Sequence, residues 1–127
     1  MSRLRTASPY LLAGLLVGAG VMHFVRPGFF DALVPPIVPG SARAWVYGSG
    51  VVELAVGAAV AAPVTRRRGA WAAAVLFVGV FPGNVWMAIE PGDVPRWAAL
   101  ARLPLQVPLV LWAVQVARNL PSTGRAD

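Results

Sequence analysis

The chain contains no cysteine. That excludes disulfides, thiol relays, thiolate metal sites and cysteine nucleophiles together, so any redox role needs a bound cofactor or a partner protein. Charge is scarce as well. Only 13% of the 127 residues are charged, about half the ~25% of an average soluble domain. Lysine is absent, and the net charge of +6 rests wholly on arginine. With 57% of its residues apolar, a chain this short lacks the polar groups to cover a soluble surface. Lipid is the solvent that suits such a composition, and a soluble enzyme is not expected. The arginines mark the ends of apolar runs and form no basic patch interleaved with aromatics, which argues for the lipid bilayer as partner and against nucleic acid.

What is present is four apolar runs, each close to the ~20 residues that cross a hydrocarbon core. They predict an all-α fold, a four-helix transmembrane bundle in one domain over 1–127, with spans at about 9–25, 44–62, 70–89 and 94–116. In the first span Gly14, Gly18 and Ala19 offer small faces for close helix contact. The second closes at Pro63. The third carries Pro82 and Gly83 in its second half, and the fourth carries Pro104 and Pro108. The first span also has features of a secretory signal, with Arg3 and Arg5 ahead of an apolar run and small residues near Gly20. It is read as retained, because the residues just beyond look functional and its removal would leave three spans.

The first connection, Arg26 to Arg43, is too apolar for a solvated loop and too proline-rich for a span. Phe29, Phe30, Leu33 and the run Val34-Pro35-Pro36-Ile37-Val38-Pro39 predict a short amphipathic turn of helix plus an extended piece, lying at the interface or folded back over the bundle. The second connection holds Arg66-Arg67-Arg68 and the third is Glu90-Pro91-Gly92-Asp93. Arginine counts favour both termini on the cytoplasmic side: Arg3, Arg5, Arg66, Arg67, Arg68, Arg118 and Arg125 would lie inside, against Arg26, Arg43 and Arg96 outside. The triplet is read as a topology marker in preference to a lipid head-group site. Trp45, Trp86 and Trp97 read as an outer aromatic belt, Trp71 as its inner counterpart, and Trp112 as deeper.

A few costly residues remain inside the spans: His23, Glu53, Asn84, Arg102 and Gln106. A charge near the bilayer centre costs at least about 2.5–3.5 kcal/mol on insertion scales, so these groups are expected to face inward and pair. At a rise of about 1.5 Å per residue, Glu53 lies roughly 14 Å below the outer end of its helix, Arg102 roughly 12 Å, Gln106 roughly 18 Å and Asn84 roughly 8 Å. Arg102 and Gln106 are four apart and share a face, as do Ser49 and Glu53. The expectation is one shared polar pocket with a Glu53–Arg102 ion pair near its floor and room made by the prolines. Plainer readings stand beside it. The ion pair could fix helix register alone, Asn84 and Gln106 could be interhelical glue, and His23 could cap the interface. One His and one Glu make a thin first shell beside the about four ligands of a closed site, so no metal is expected.

These residues sit in short ordered motifs. His23-Phe24-Val25-Arg26-Pro27-Gly28-Phe29-Phe30 resembles the end of the first helix in DoxX-like membrane proteins. Val34-Pro35-Pro36-Ile37-Val38-Pro39 resembles the loop that follows. Ser49-Gly50-Val51-Val52-Glu53-Leu54 resembles their second-helix motif. Pro82-Gly83-Asn84-Val85-Trp86-Met87-Ala88 resembles the third, where alanine often stands in place of Gly83. Arg102-Leu103-Pro104-Leu105-Gln106-Val107-Pro108-Leu109 resembles the fourth. The likeness covers about residues 8–118. It implies a four-helix bundle in a bacterial inner membrane and a redox-associated role, in a family named for a subunit linked to thiosulfate:quinone oxidoreduction. The lack of cysteine argues against a thiol-based version here.

Two functions follow as expectations. In the first, the polar cluster binds a small polar or quinone-like molecule. Arg102 would hold a carbonyl or anion, Glu53 would balance it and exchange protons, His23, Asn84 and Gln106 would orient it, and a partner oxidoreductase would complete the chemistry. In the second, the chain is a structural or assembly subunit with a purely structural polar core. A small-solute or proton path is weaker, because the inner half has no polar residues to continue it. The residues leave the oligomeric state open, a homo-oligomer included.

Overall fold

A computed structural model describes residues 2–90 and 94–118, the side chains of Ser2, Leu4 and Arg5 excepted. Pro91–Asp93 of the third connection and Arg125 lie outside the described residues. The described chain is all helical: α1 Ser2–Val25, α2 Pro27–Asp31, α3 Ala42–Ala61, α4 Arg66–Gly79, α5 Phe81–Ile89 and α6 Arg96–Arg118. Four stretches are long and apolar enough to cross a membrane, namely Thr6–Val25, Ala42–Ala61, Arg66–Ile89 and Arg96–Arg118.

The prolines act differently from one helix to the next. Pro9 was expected to open the first span, yet α1 begins seven residues earlier and carries Pro9 inside it. A single missing N–H near a helix end costs one bond, which water or head groups can replace. Pro104 and Pro108 likewise sit inside the unbroken α6. Pro82 does interrupt the third span. It cannot donate back to Val78, so the ladder closes at Val80, whose N–H bonds Leu76 O at 3.0 Å, and restarts as α5 with proline in its first turn.

Packing is ordered α1, α3, α4, α6 around the bundle. α1 pairs most extensively with α3, α4 with α6 and α3 with α4, whereas α6 touches α1 lightly. The apolar core gathers Leu12, Ala13 and Leu16 of α1, Val60 of α3, Ala70, Ala73, Ala74 and Phe77 of α4, and Ala113, Val116 and Ala117 of α6. Small residues dominate because two hydrocarbon-solvated helices gain by close backbone approach. All of these residues lie toward the arginine-rich end, which leaves the opposite half of the bundle for α2, α5 and the polar side chains. Trp112, expected to be deep, donates its indole N–H to Ser8 Oγ at 2.8 Å and so ties the end of α6 to the start of α1.

The close contacts do not fall where the glycine pattern of α1 suggested. A β-carbon at Gly14 or Gly18 would meet nothing within 4 Å. On α3, a β-carbon at Gly50 would lie 2.7 Å from the Phe24 ring, and one at Gly57 would lie 2.7 Å from Val17. The α1 stripe that buries against its neighbours runs through Leu12, Leu16, Gly20 and His23, and Gly14 and Gly18 point away from it.

The arginine triplet does more than mark topology. α3 ends at Ala61, and Pro63 supplies no N–H for Ala59 O. Thr65 Oγ1 donates to that carbonyl at 2.7 Å. Arg66 Nε donates to Val60 O at 2.8 Å and its Nη2 to Ala61 O at 2.9 Å. The last carbonyls of α3 are thereby closed by two side chains from the next turn, with a cation at the negative end of the helix. Arg66 is buried, and its guanidinium lies 4.8 Å over the Tyr10 ring, which draws α1 into the same brace. Charge-assisted bonds are worth about 1.5–3 kcal/mol each. Arg66→Met should therefore lower stability by about 2–4 kcal/mol in a reversible detergent-unfolding titration. The exposed Arg68→Met control should change it by less than about 0.5 kcal/mol. Equal effects of the two substitutions would refute the brace.

Candidate functional site

The five polar positions resolve into two pairs and one outlier. His23 and Glu53 meet across the α1–α3 seam, with His23 Nδ1 3.3 Å from Glu53 Oε2. Asn84 Nδ2 donates to Gln106 Oε1 at 3.0 Å across α5 and α6. All four are buried. Arg102 joins neither pair: it is exposed, and no ion pair forms between it and Glu53. The expected Glu53–Arg102 pair is thus replaced by Glu53–His23. The sharing of a face by Arg102 and Gln106 is sound helical geometry, but the buried face of α6 runs through Ala99, Gln106, Ala113 and Ala117. Arg102 is not among the side chains that bury there.

The His23 ring is fixed on three sides. Nδ1 lies 2.6 Å from Ala19 O. A carbonyl only accepts, so Nδ1 carries the proton and donates it there. The Phe30 ring stacks on the imidazole at 3.8 Å between centroids and 17° between planes. Glu53 approaches from α3. Since the Nδ1 proton is committed to Ala19, Glu53 Oε2 is left buried without a hydrogen-bond partner. Gln106 Nε2 is in the same condition on the other pair. One buried acceptor and one buried donor thus stand unmatched. A lone buried polar group costs about 1–3 kcal/mol, so these two atoms are where added chemistry would be most favourable. Of the described residues, only His23 and Glu53 are metal-ligating types brought together here, and no third joins them.

The first connection folds back over this half, as one of its two expected placements had it. Pro27 opens the single turn of α2, which delivers Phe30 to His23. The Leu33 carbonyl comes close enough to α5 that a β-carbon at Gly83 would lie 3.3 Å from it. Gly40, at φ +89°, then turns the chain into α3, where Ser41 Oγ caps the helix by accepting from Ala44 N at 3.1 Å. Trp45 donates to Pro39 O at 2.6 Å, so this belt residue also pins the loop. Arg43 clamps α2 to α3 through a forked contact to Asp31, with Nη2 at 2.7 Å from Oδ2 and Nε at 3.1 Å from both oxygens. Its guanidinium lies 5.7 Å from the Tyr47 ring, which stacks on Phe24. Phe30, Asp31 and Arg43 were not marked by the sequence as site-shaping residues. The one available signal was the unusual apolarity of the connection.

A family model described as a domain of unknown function, DUF8561, matches residues 12–117. The chain belongs to this family. No curated protein and no solved structure matches it. The DUF8561 region contains both polar pairs, Arg102, the folded-back connection and the Arg66 brace, while Arg3, Tyr10 and Ser8 precede it. Within the DUF8561 region the Asp31–Arg43 clamp titrates predictably. The hydrogen bonds from Arg43, reinforced by its charge, hold the Asp31 carboxyl below its ordinary value. A depressed folded-state value means that the clamp's contribution is complete above the ordinary carboxylate pKa near 3.9 and is lost as pH falls through the lower folded value. An NMR titration of the Asp31 carboxyl should give a midpoint below that of a model peptide, and Arg43→Gln should return it to normal. An unshifted midpoint in the unsubstituted chain would refute the clamp.

Proposed function

We propose that this protein is a DoxX-like, redox-associated membrane protein whose outer half binds a small polar or quinone-like molecule between the helices, with a partner oxidoreductase completing any electron transfer. The observation that carries this reading is the pair of buried, unmatched atoms, Glu53 Oε2 and Gln106 Nε2. A ligand with a hydroxyl for the first and a carbonyl for the second would satisfy both. The Ser8–Trp112 contact sets the register of α1 against α6, and the Gly50 and Gly57 contacts set α1 against α3. On that register Glu53 lies roughly 10 Å nearer the outer end than Gln106, counting about 1.5 Å per residue. An elongated amphipathic molecule suits that spacing better than a compact ion. Asn84 holds the Gln106 side chain by its hydrogen bond, and His23 stands beside Glu53 at 3.3 Å. Arg102, exposed on α6, would meet a carbonyl or anionic group arriving from the leaflet. With both termini cytoplasmic in a bacterial inner membrane, the site would face the outer leaflet.

The second reading, a structural or assembly subunit, draws on the Asn84–Gln106 bond, which already joins α5 to α6 without any ligand. One experiment separates the two. The purified protein should carry a lipid-soluble molecule recoverable by organic extraction and mass spectrometry. Gln106→Met should reduce its occupancy about tenfold, the loss of one good hydrogen bond, and should also lower stability by about 1–3 kcal/mol because Asn84 Nδ2 loses its acceptor. The variant is destabilised under either reading, so the extract decides: unaltered lipid-soluble content in Gln106→Met would refute the first reading and favour the structural one.

A further inference from the structure

The arginine-rich end of the bundle holds a feature that neither polar pair uses. Arg3, Thr6, Ala7 and Tyr10 line a shallow, open hollow of about 310 Å³ on the surface of α1. Their three- and four-residue spacing places them on one stripe of α1. The stripe is mostly apolar in its depth and begins with the exposed Arg3. Tyr10 is held from the bundle side by the Arg66 guanidinium at 4.8 Å and is 51% exposed. Arg66 is held in turn by Val60 O and Ala61 O. Farther along the same side of α1, nothing lies within 4 Å above Gly14 or Gly18, so this face of the helix stays uncovered toward the membrane centre.

Among the described residues, the charge around its mouth is of one sign. Arg3, Arg66 and Arg68 stand at this end with Arg118 at the close of α6. The acids Asp31, Glu53 and Glu90 belong to the opposite half or its rim. We propose that this hollow and the uncovered face beyond it are a binding site for an anionic phospholipid, with the head-group phosphate at Arg3 and one acyl chain laid along Ala7, Tyr10 and the glycine face of α1. Basic residues at the ends of membrane helices attract acidic head groups, at about 1 kcal/mol per arginine near the surface. A second copy of the chain is the competing occupant, because Gly14 and Gly18 have the spacing that lets two helices approach. Two copies packed in parallel along this stripe would set Arg3 and its neighbours against their duplicates, and the repulsion favours lipid.

The full chain, purified and exchanged into detergent with either phosphatidylglycerol or phosphatidylcholine, tests this by native mass spectrometry. Phosphatidylglycerol should stay bound under conditions that strip phosphatidylcholine. Arg3→Ala should lower its retention about fivefold, while Arg3→Lys should keep most of it. Gly14→Leu should also lower it by filling the track. Equal retention of both lipids, or full retention in Arg3→Ala, would overturn the proposal. The chain has no native cysteine, so Gly14→Cys gives a clean second readout. Efficient disulfide dimerisation in phosphatidylglycerol membranes would overturn the lipid in favour of a second copy, and a monomer would support it. Arg3 and Gly14 touch neither Glu53 nor Gln106, so this result stands apart from that of the extraction experiment.

Discussion

Hydrocarbon offers no water to a polar group, and that constraint organises the structure from end to end. A side chain that must stay polar inside a span has to find a protein partner or reach the interface. His23 and Glu53 find each other across α1 and α3, and Asn84 and Gln106 do so across α5 and α6. The backbone obeys the same rule. Where Pro63 leaves α3 without a donor, Thr65 and Arg66 donate in its place. Where Pro82 would leave a gap, the helix ends and begins again. Arg102 follows the alternative course: it stands exposed, and a long arginine stem lets the charged head rise toward the head groups.

The two ends of the bundle divide the work. Toward the arginine-rich end, small apolar side chains of four helices close into a dry core, and the Arg66 brace and the Ser8–Trp112 bond tie its rim. Toward the other end the helices have less to share. α6 and α1 separate, α5 packs on α6, and the first connection folds inward to cover what is left. The unmatched Glu53 Oε2 lies in this looser half and Gln106 Nε2 at its inner border, near the middle of α6. A buried polar atom is tolerated without a partner only where packing is not already committed to excluding one, which is why the site is read there and not in the core.

Much of this was legible in the residues. Four runs of apolar sequence gave the four spans within a few residues, apart from the early start of α1, and the scarcity of polar residues inside them made His23, Glu53, Asn84 and Gln106 stand out. Partner choice was not legible. Opposite formal charge suggested Glu53 with Arg102, but α1 packs on α3 far more closely than α6 approaches either, and contact decides the pairing before charge can. The small residues of α1 misled for a similar reason: spacing marks a smooth face without saying whether a neighbour covers it. The role of Arg66 was hidden because nothing in a run of three arginines distinguishes the one whose turn brings it under the preceding helix.

The central claim is that Glu53 takes its partner from α1 and not from α6. A double-mutant cycle on unfolding free energy tests it directly, comparing His23→Leu with Glu53→Leu and then Arg102→Leu with Glu53→Leu. The first cycle should give a coupling of about 1 kcal/mol and the second a coupling near zero. A larger coupling between Glu53 and Arg102 than between Glu53 and His23 would contradict the account.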